Sequence, residues 1–365
     1  MKMYVNHLPA ETWNRLEMNG ASLSVPAFED NGLEILETKG WETSTTKVKV
    51  HEGLDPKDTF AIRALAKKGE IVTGVGPDMD RLIRENKVVT HSFKTSSKKP
   101  EPLIIDFDYG RGGRDLTSIE ITVEDGVEAT VVEEFTSGPT GKGVIGVQTK
   151  FSLGKGAKVT FVQVQDLNRK ITFINDVGIV QTENAEFSGI EAILSGGNTY
   201  YGTQTNLYGK KSNYRLDIGY MVEDRQLLDM NIVAMHIGKK TNAEIFADGV
   251  LKDEAVKIFR STVDFNAGCT GSSGEERENV LLMDDTVINK TVPLILCDEE
   301  DVEGAHGGSI GRLDDETLFY MMSRGMTKEE VYEMVSKARL DAVINKIPVK
   351  EIKDKWVKRL HPDED

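Results

Sequence analysis

The residues best suited to chemistry in this 365-residue chain lie in one glycine-rich stretch, Gly304-Ala305-His306-Gly307-Gly308-Ser309. A neutral imidazole can ligate a transition metal or move a proton near neutral pH, and glycines on both sides let the backbone bend and another surface approach the ring. The same histidine could instead only hydrogen-bond a turn, because no second ligand is spaced with it. Two thiols accompany it. Cys297 ends the apolar run Val292-Pro293-Leu294-Ile295-Leu296 and fits either a buried small hydrophobe or a thiolate ligand for iron or sulfur. Cys269, in Gly268-Cys269-Thr270-Gly271, reads as part of a flexible loop that could expose it. Their separation matches neither a zinc site nor a CxxC pair, and without an export signal they read as two thiols rather than a disulfide.

These residues sit where one kind of structure gives way to another. The segment Gly304 to Ser309 is too rich in glycine for a helix interior and too small-sided for an ordinary core strand, so a loop is expected. Asp314, Asp315 and Glu316 then supply the negative charge that a helix start favours, Leu318, Phe319 and Met322 an apolar face, and Gly325 a stop. Thr327 to Glu330 is a capping-box pattern for a helix reaching about Ile344, and Pro348 separates it from a last helix carrying Ile352, Trp356 and Leu360. Such a helical tail is expected to cover the open end of whatever precedes it.

What precedes it is a run of strands. Apolar residues alternate at Leu103, Ile105, Phe107, at Ile119, Ile121, Val123, at Val159, Phe161 and at Tyr214, Leu216, Ile218. A small residue after a turn recurs at Val127, Ala157, Ala185, Ser212 and Ala243, with spacings of 30, 28, 27 and 31. A β-solenoid needs this recurrence, because each coil must set its inward side chains above those of the coil before; a β-sandwich is the weaker alternative. Before about residue 95 the chain reads as an irregular α/β cap. It carries a short helical start at Leu8 to Leu16, a helix capped by Asp55 with Pro56 in its first turn, and a brief helix from Met79 to Glu85.

Composition narrows the function classes. With 45 basic and 60 acidic residues the net charge is −15, which opposes sequence-independent nucleic-acid binding. No apolar run reaches bilayer length, and the N-terminus carries charges where a signal peptide needs an apolar core, so a cytoplasmic protein is expected. Gly138 to Gly143 lacks the spacer and the Ser/Thr of a phosphate-binding loop, and Gly74-Val75-Gly76-Pro77 lacks the third glycine of a dinucleotide fingerprint. No ATP is therefore expected to bind this chain.

The acidic run Asp298 to Asp301, the glycine-flanked His306, Ser309-Ile310-Gly311, the acidic helix start, Leu318-Phe319-Tyr320 and Ser323-Arg324-Gly325-Met326 follow one another at a spacing that resembles the SufB/SufD family of the SUF iron-sulfur cluster assembly machinery, and its SufD branch in particular. The likeness is strongest from about residue 243 to 345. It implies a mainly β fold: a right-handed parallel β-helix core (96–311) between an N-terminal α/β cap (1–95) and a C-terminal α-helical partner-binding domain (312–365). It also implies a non-catalytic scaffold that pairs with a SufB-like subunit, or with itself in isolation, and docks a SufC-like ABC ATPase through Leu318, Phe319, Tyr320 and Arg324. A transient iron-sulfur cluster would be handled at the subunit interface, lined by His306 and Cys297, with His306 as a metal ligand. Gly304 is a departure, since many SufD relatives have cysteine two residues before this histidine. Two rivals remain: a SufB-like cluster carrier, whose Ala-Thr-Thr-Ser loop is missing here, and a β-helix carbohydrate-active enzyme using outward acids.

Overall fold

The computed structural model describes residues 1–11, 14–28, 38–47 and 54–362. The alternating segments form two long sheets, one of nine strands and one of eight, and from Val89–Thr95 onward successive strands of the chain alternate between them. Every pairing in the eight-stranded sheet is parallel. The result is a parallel β-solenoid of about eight turns. At the start of the nine-stranded sheet, Val89–Thr95 pairs in parallel with Arg114–Val123 and antiparallel with Trp41–Lys47. Inside, aromatic rings from successive coils pack together: Phe107 stacks on Phe135 at 5.1 Å, and Phe135 meets the tilted ring of Phe173 at 4.9 Å between centroids.

The ladder corrects one repeat position. Val127, Ala157, Ala185 and Ser212 do lie in register, but the next rung is Thr241 and then Ser272, whereas Ala243 stands opposite Tyr214. A two-residue slip keeps every side chain on its own face, so alternation alone cannot detect it.

At the N-terminus, Asp58 rather than Asp55 caps helix α1 (Thr59–Ala66), accepting from the Ala61 amide at 2.9 Å. Asp55 instead accepts from the Lys57 amide in the preceding turn. The expected helix at Leu8 to Leu16 is only a 3-10 turn at Asn14–Leu16, and its Thr12 and Trp13 lie outside the described residues. Helix α2 spans Pro77–Glu85. The cap is pressed onto the outer face of the nine-stranded sheet so closely that a Cβ on Gly202 would lie 2.2 Å from the Val75 nitrogen.

Three helices follow the solenoid: α3 (Asp315–Ser323), α4 (Lys328–Ile344) and α5 (Lys350–Leu360). Thr327 and Glu330 form the expected reciprocal capping box. The tail does not cover the open end of the coil stack. Helices α4 and α5 lie along the flank, packing Leu340, Val343, Ile344, Ile352 and Trp356 on outward Val132, Val162, Val164 and Ala192 of the eight-stranded sheet. That face is apolar and needs a cover, and Gly219 lets Val343 approach. Among the described residues no helix is long and apolar enough to cross a membrane.

Candidate functional site: the open end of the solenoid

The solenoid ends with Ile288–Cys297 at the margin of one sheet and Val302–Gly311 at the margin of the other. The segment around His306, expected to be a loop, is therefore a strand. Its whole length pairs in parallel with Ser272–Leu282, which supplies the backbone partners that glycine-rich sequence does not by itself demand. Small side chains are tolerated because no coil stacks above them, and nearly the entire strand is exposed.

Paired residues of parallel strands share a face, so register says which side chains look into the open coil. A Cβ added to Gly304 would meet Phe265 and Ile295 at 3.2 Å, which marks Gly304, and with it His306, as facing the solenoid interior. Cys297 stands opposite Phe265 and, one coil deeper, His236; the rings of Phe265 and His236 stack at 4.6 Å. The structure thus places His306 and Cys297 on the same uncovered interior face.

The two cysteines sit in opposite environments. Cys297 is exposed, its thiol 2.9 Å from the Glu299 carbonyl oxygen, because its strand is the last of its sheet. Cys269 is 0% exposed against Val263 and Phe265. Its segment is a hydrogen-bonded turn between Asn266 and Ser272 rather than a flexible loop, and burial pushes the thiol up to about 11. On the folded protein, a maleimide is expected to modify Cys297 alone, with Cys269 reacting only after denaturation. Rapid native labelling of both, read by peptide mass spectrometry, would contradict this assignment.

One interior column of the eight-stranded sheet changes character at this end. It runs Leu103, Val131, Phe161, Gly189, Leu216, Ile245, then Glu276, then His306. Glu276 is 2% exposed, and burial pushes its carboxyl up to about 8. The Ser261 hydroxyl and the Val263 amide offset part of this without reaching hydrogen-bond geometry, so neither carboxylate oxygen has a partner. Glu278, two residues along the same strand, is the opposite case. It pairs with buried Lys257 and accepts from the Tyr220 hydroxyl at 2.9 Å and the Thr291 hydroxyl at 2.7 Å. Glu276 escaped the sequence reading because its alternating, charged surroundings give no sign of which column it enters.

Among the described residues, no three His, Cys, Asp or Glu side chains converge as a metal site. His306 and Cys297 share the uncovered face without a third such side chain beside them. On α3, Phe319 and Tyr320 are 75% and 53% exposed, and the Arg324 guanidinium lies over the Tyr320 ring at 5.1 Å. Leu318 turns the other way, towards Val250, Leu281 and Tyr332. The four residues therefore do not form one surface: three face outward and one anchors the helix.

The sequence matches the family model described as SUF system FeS cluster assembly, SufBD core domain, over residues 111–339. It is similar to the iron-sulfur cluster assembly protein SufD of Bacillus subtilis, at 28% identity over 239 residues, covering 65% of this chain and 55% of the relative. The Escherichia coli protein of the same name is 22% identical over 253 residues, covering 68% and 60%. An iron-sulfur cluster assembly SufBD family protein of Mycobacterium tuberculosis is 22% identical over 254 residues, covering 67% and 63%. The matched stretch spans less than two thirds of each of these relatives. Because the family model covers most of the solenoid, its open end and the first part of the helical tail, this chain belongs to the SufBD core family of the SUF iron-sulfur cluster assembly system.

Proposed function

We propose that this chain is a non-catalytic, cytoplasmic scaffold subunit in iron-sulfur cluster assembly. It pairs through its open solenoid end with a SufB-like subunit, or with a second copy of itself when alone, and docks a SufC-like ABC ATPase through α3. The observation that carries this reading is the uncapped last coil. An edge strand with unpaired N–H and C=O groups is a template for another chain, and monomers normally protect it; here Val302–Gly311 is long, exposed and free of any covering helix. The transient cluster is cargo at this junction, where His306 and Cys297 supply part of the donor set and the partner supplies the rest. Phe319, Tyr320 and Arg324 have the aromatic and guanidinium chemistry that dominates docking energetics, on a helix with no buried residue. Nucleotide-driven movement of the ATPase would then act, through the short connection after Gly311, on the strand that carries His306.

The test is co-expression with a SufB-like subunit and an ABC-type ATPase. Phe319→Asp with Tyr320→Asp is expected to lose the ATPase and retain the SufB-like partner, and retention of both would refute α3 docking. His306→Ala is expected to leave the assembly intact but depress cluster transfer to an acceptor apoprotein; unchanged transfer would reduce His306 to a structural residue. The exposure of Cys297 favours one variant of this reading, a cluster held partly by this chain's thiolate. A reconstituted cluster lost on Cys297→Ser would support it.

A further inference from the structure

We propose that Glu276 is the positioning residue for His306: its carboxylate, on the rung beneath and on the same open face, receives one imidazole N–H and leaves the other ring nitrogen directed at the iron of the cargo. The proposal rests on the assignment of His306 to cluster assembly and adds to it the group that orients the ring.

Three independent features point to Glu276. It interrupts a column that is otherwise apolar through Leu216 and Ile245, and it does so only in the coil directly below His306. It is buried, yet neither carboxylate oxygen has a hydrogen-bond partner. A buried carboxylate costs folding stability, and the nearby Ser261 hydroxyl and Val263 amide do not offset this with a formed hydrogen bond, so its use lies outside the isolated fold. Finally, Glu276 and His306 are register partners on adjacent parallel strands, which run roughly 4.8 Å apart with paired side chains on one face. The neighbouring carboxylate, Glu278, does not compete, being already engaged by Lys257, Tyr220 and Thr291.

The chemistry is general. A histidine that ligates a metal almost always donates its other ring N–H to a carboxylate, carbonyl or water, which fixes the tautomer and makes the ligating nitrogen more basic. The backbone carbonyls are consumed by the ladders, and the interior Glu133 and Glu191 lie several coils away from His306. An interior carboxylate one rung down meets that requirement.

The experiment uses the full chain with histidine ring nitrogens labelled for NMR at pH 9, His306 being assigned by loss of its signals in His306→Ala. Wild type is expected to show His306 held in a single tautomer. Glu276→Leu, whose side chain suits a column holding Leu216 and Ile245, is expected to fold, to melt higher than wild type, and to show two exchanging tautomers. Titration with Co(II) alone, followed at the His306 signals, is expected to give affinity weaker by ~10-fold or more in Glu276→Leu. Glu276→Gln, which keeps a carbonyl acceptor, is expected to retain the tautomer, and it serves as the reporter if the leucine variant misfolds. An unchanged tautomer and unchanged affinity in Glu276→Leu would overturn the proposal while leaving His306 as a ligand. Conversely, Co(II) signals that never involve His306 in wild type would remove its role as a ligand, and the tautomer comparison would still decide whether Glu276 orients the ring.

Discussion

Replacing Arg260 by leucine is expected to cost about 3–5 kcal/mol of folding stability, the range for breaking a buried ion pair from one side. Arg260 and Asp229 are both 0% exposed. The guanidinium donates to Asp229 at 2.5 and 3.3 Å and to the Met18 carbonyl at 2.5 Å, while Asp229 also accepts from the Asn6 side-chain amide at 2.7 Å. Arginine is suited to this place because its planar fork reaches a carboxylate and a carbonyl together. Leucine would leave Asp229 buried with only Asn6 beside it and would detach the cap around Met18 from the sheet. Chemical denaturation should show the lost stability, and proteolysis of the folded variant should begin in the N-terminal segment. Adding Asp229→Leu to Arg260→Leu is expected to recover much of the loss, because the uncompensated charge is the dominant cost. A single variant within 1 kcal/mol of wild type would show that the pair is not buried as described.

Trp356→Ala is expected to cost about 3–5 kcal/mol locally, as for other buried aromatic truncations. Trp356 is the largest fully buried side chain. It fills the seam between α4, α5 and outward Val132, Val162 and Val164, and its indole N–H donates to Glu134 at 2.5 Å. Alanine would open a cavity and leave buried Glu134 with the Lys355 ammonium, 3.0 Å away, as its remaining partner. Since the helices cover the outside of the flank, the ladder hydrogen bonds of the coils below do not run through them. Hydrogen exchange should therefore quicken across α5 and the second half of α4 while the solenoid strands keep their protection. A uniform loss of protection would mean that tail and solenoid fold as one unit. If α3 docks an ATPase, the same variant should weaken that docking without altering Phe319 or Tyr320, because the platform behind them has loosened.

Much of the architecture was legible because its causes are local. Inward alternation at Leu103, Ile105 and Phe107, the small residues at Val127, Ala157, Ala185 and Ser212, and the Thr327 to Glu330 capping box each state their structure within a few residues, and each is found. The errors share another cause. Ala243 was placed two residues out because a slip of two preserves facing. Asp55 yielded to Asp58 because two carboxylates stand close enough for either to cap. The glycine-rich strand reads as a loop because what makes it a strand is the Ser272–Leu282 ladder beside it, not its own side chains. Burial of the cysteines is not legible for the same reason: the final strand of a sheet lacks the cover that an apolar run suggests, and a short turn can close over a thiol.

That the chain builds coils, that a histidine in a glycine-rich setting follows them and that capped helices come last are all dictated locally, by side-chain period, backbone freedom and hydrogen-bonding side chains at helix starts. That the helices cover the flank and leave the end bare, and that Cys297 and His306 share that end above Glu276, is dictated by the packing of distant strands. Those facts depend on which strand lies next to which, and strand neighbours in a solenoid are separated by a full coil of chain, beyond the reach of any local pattern.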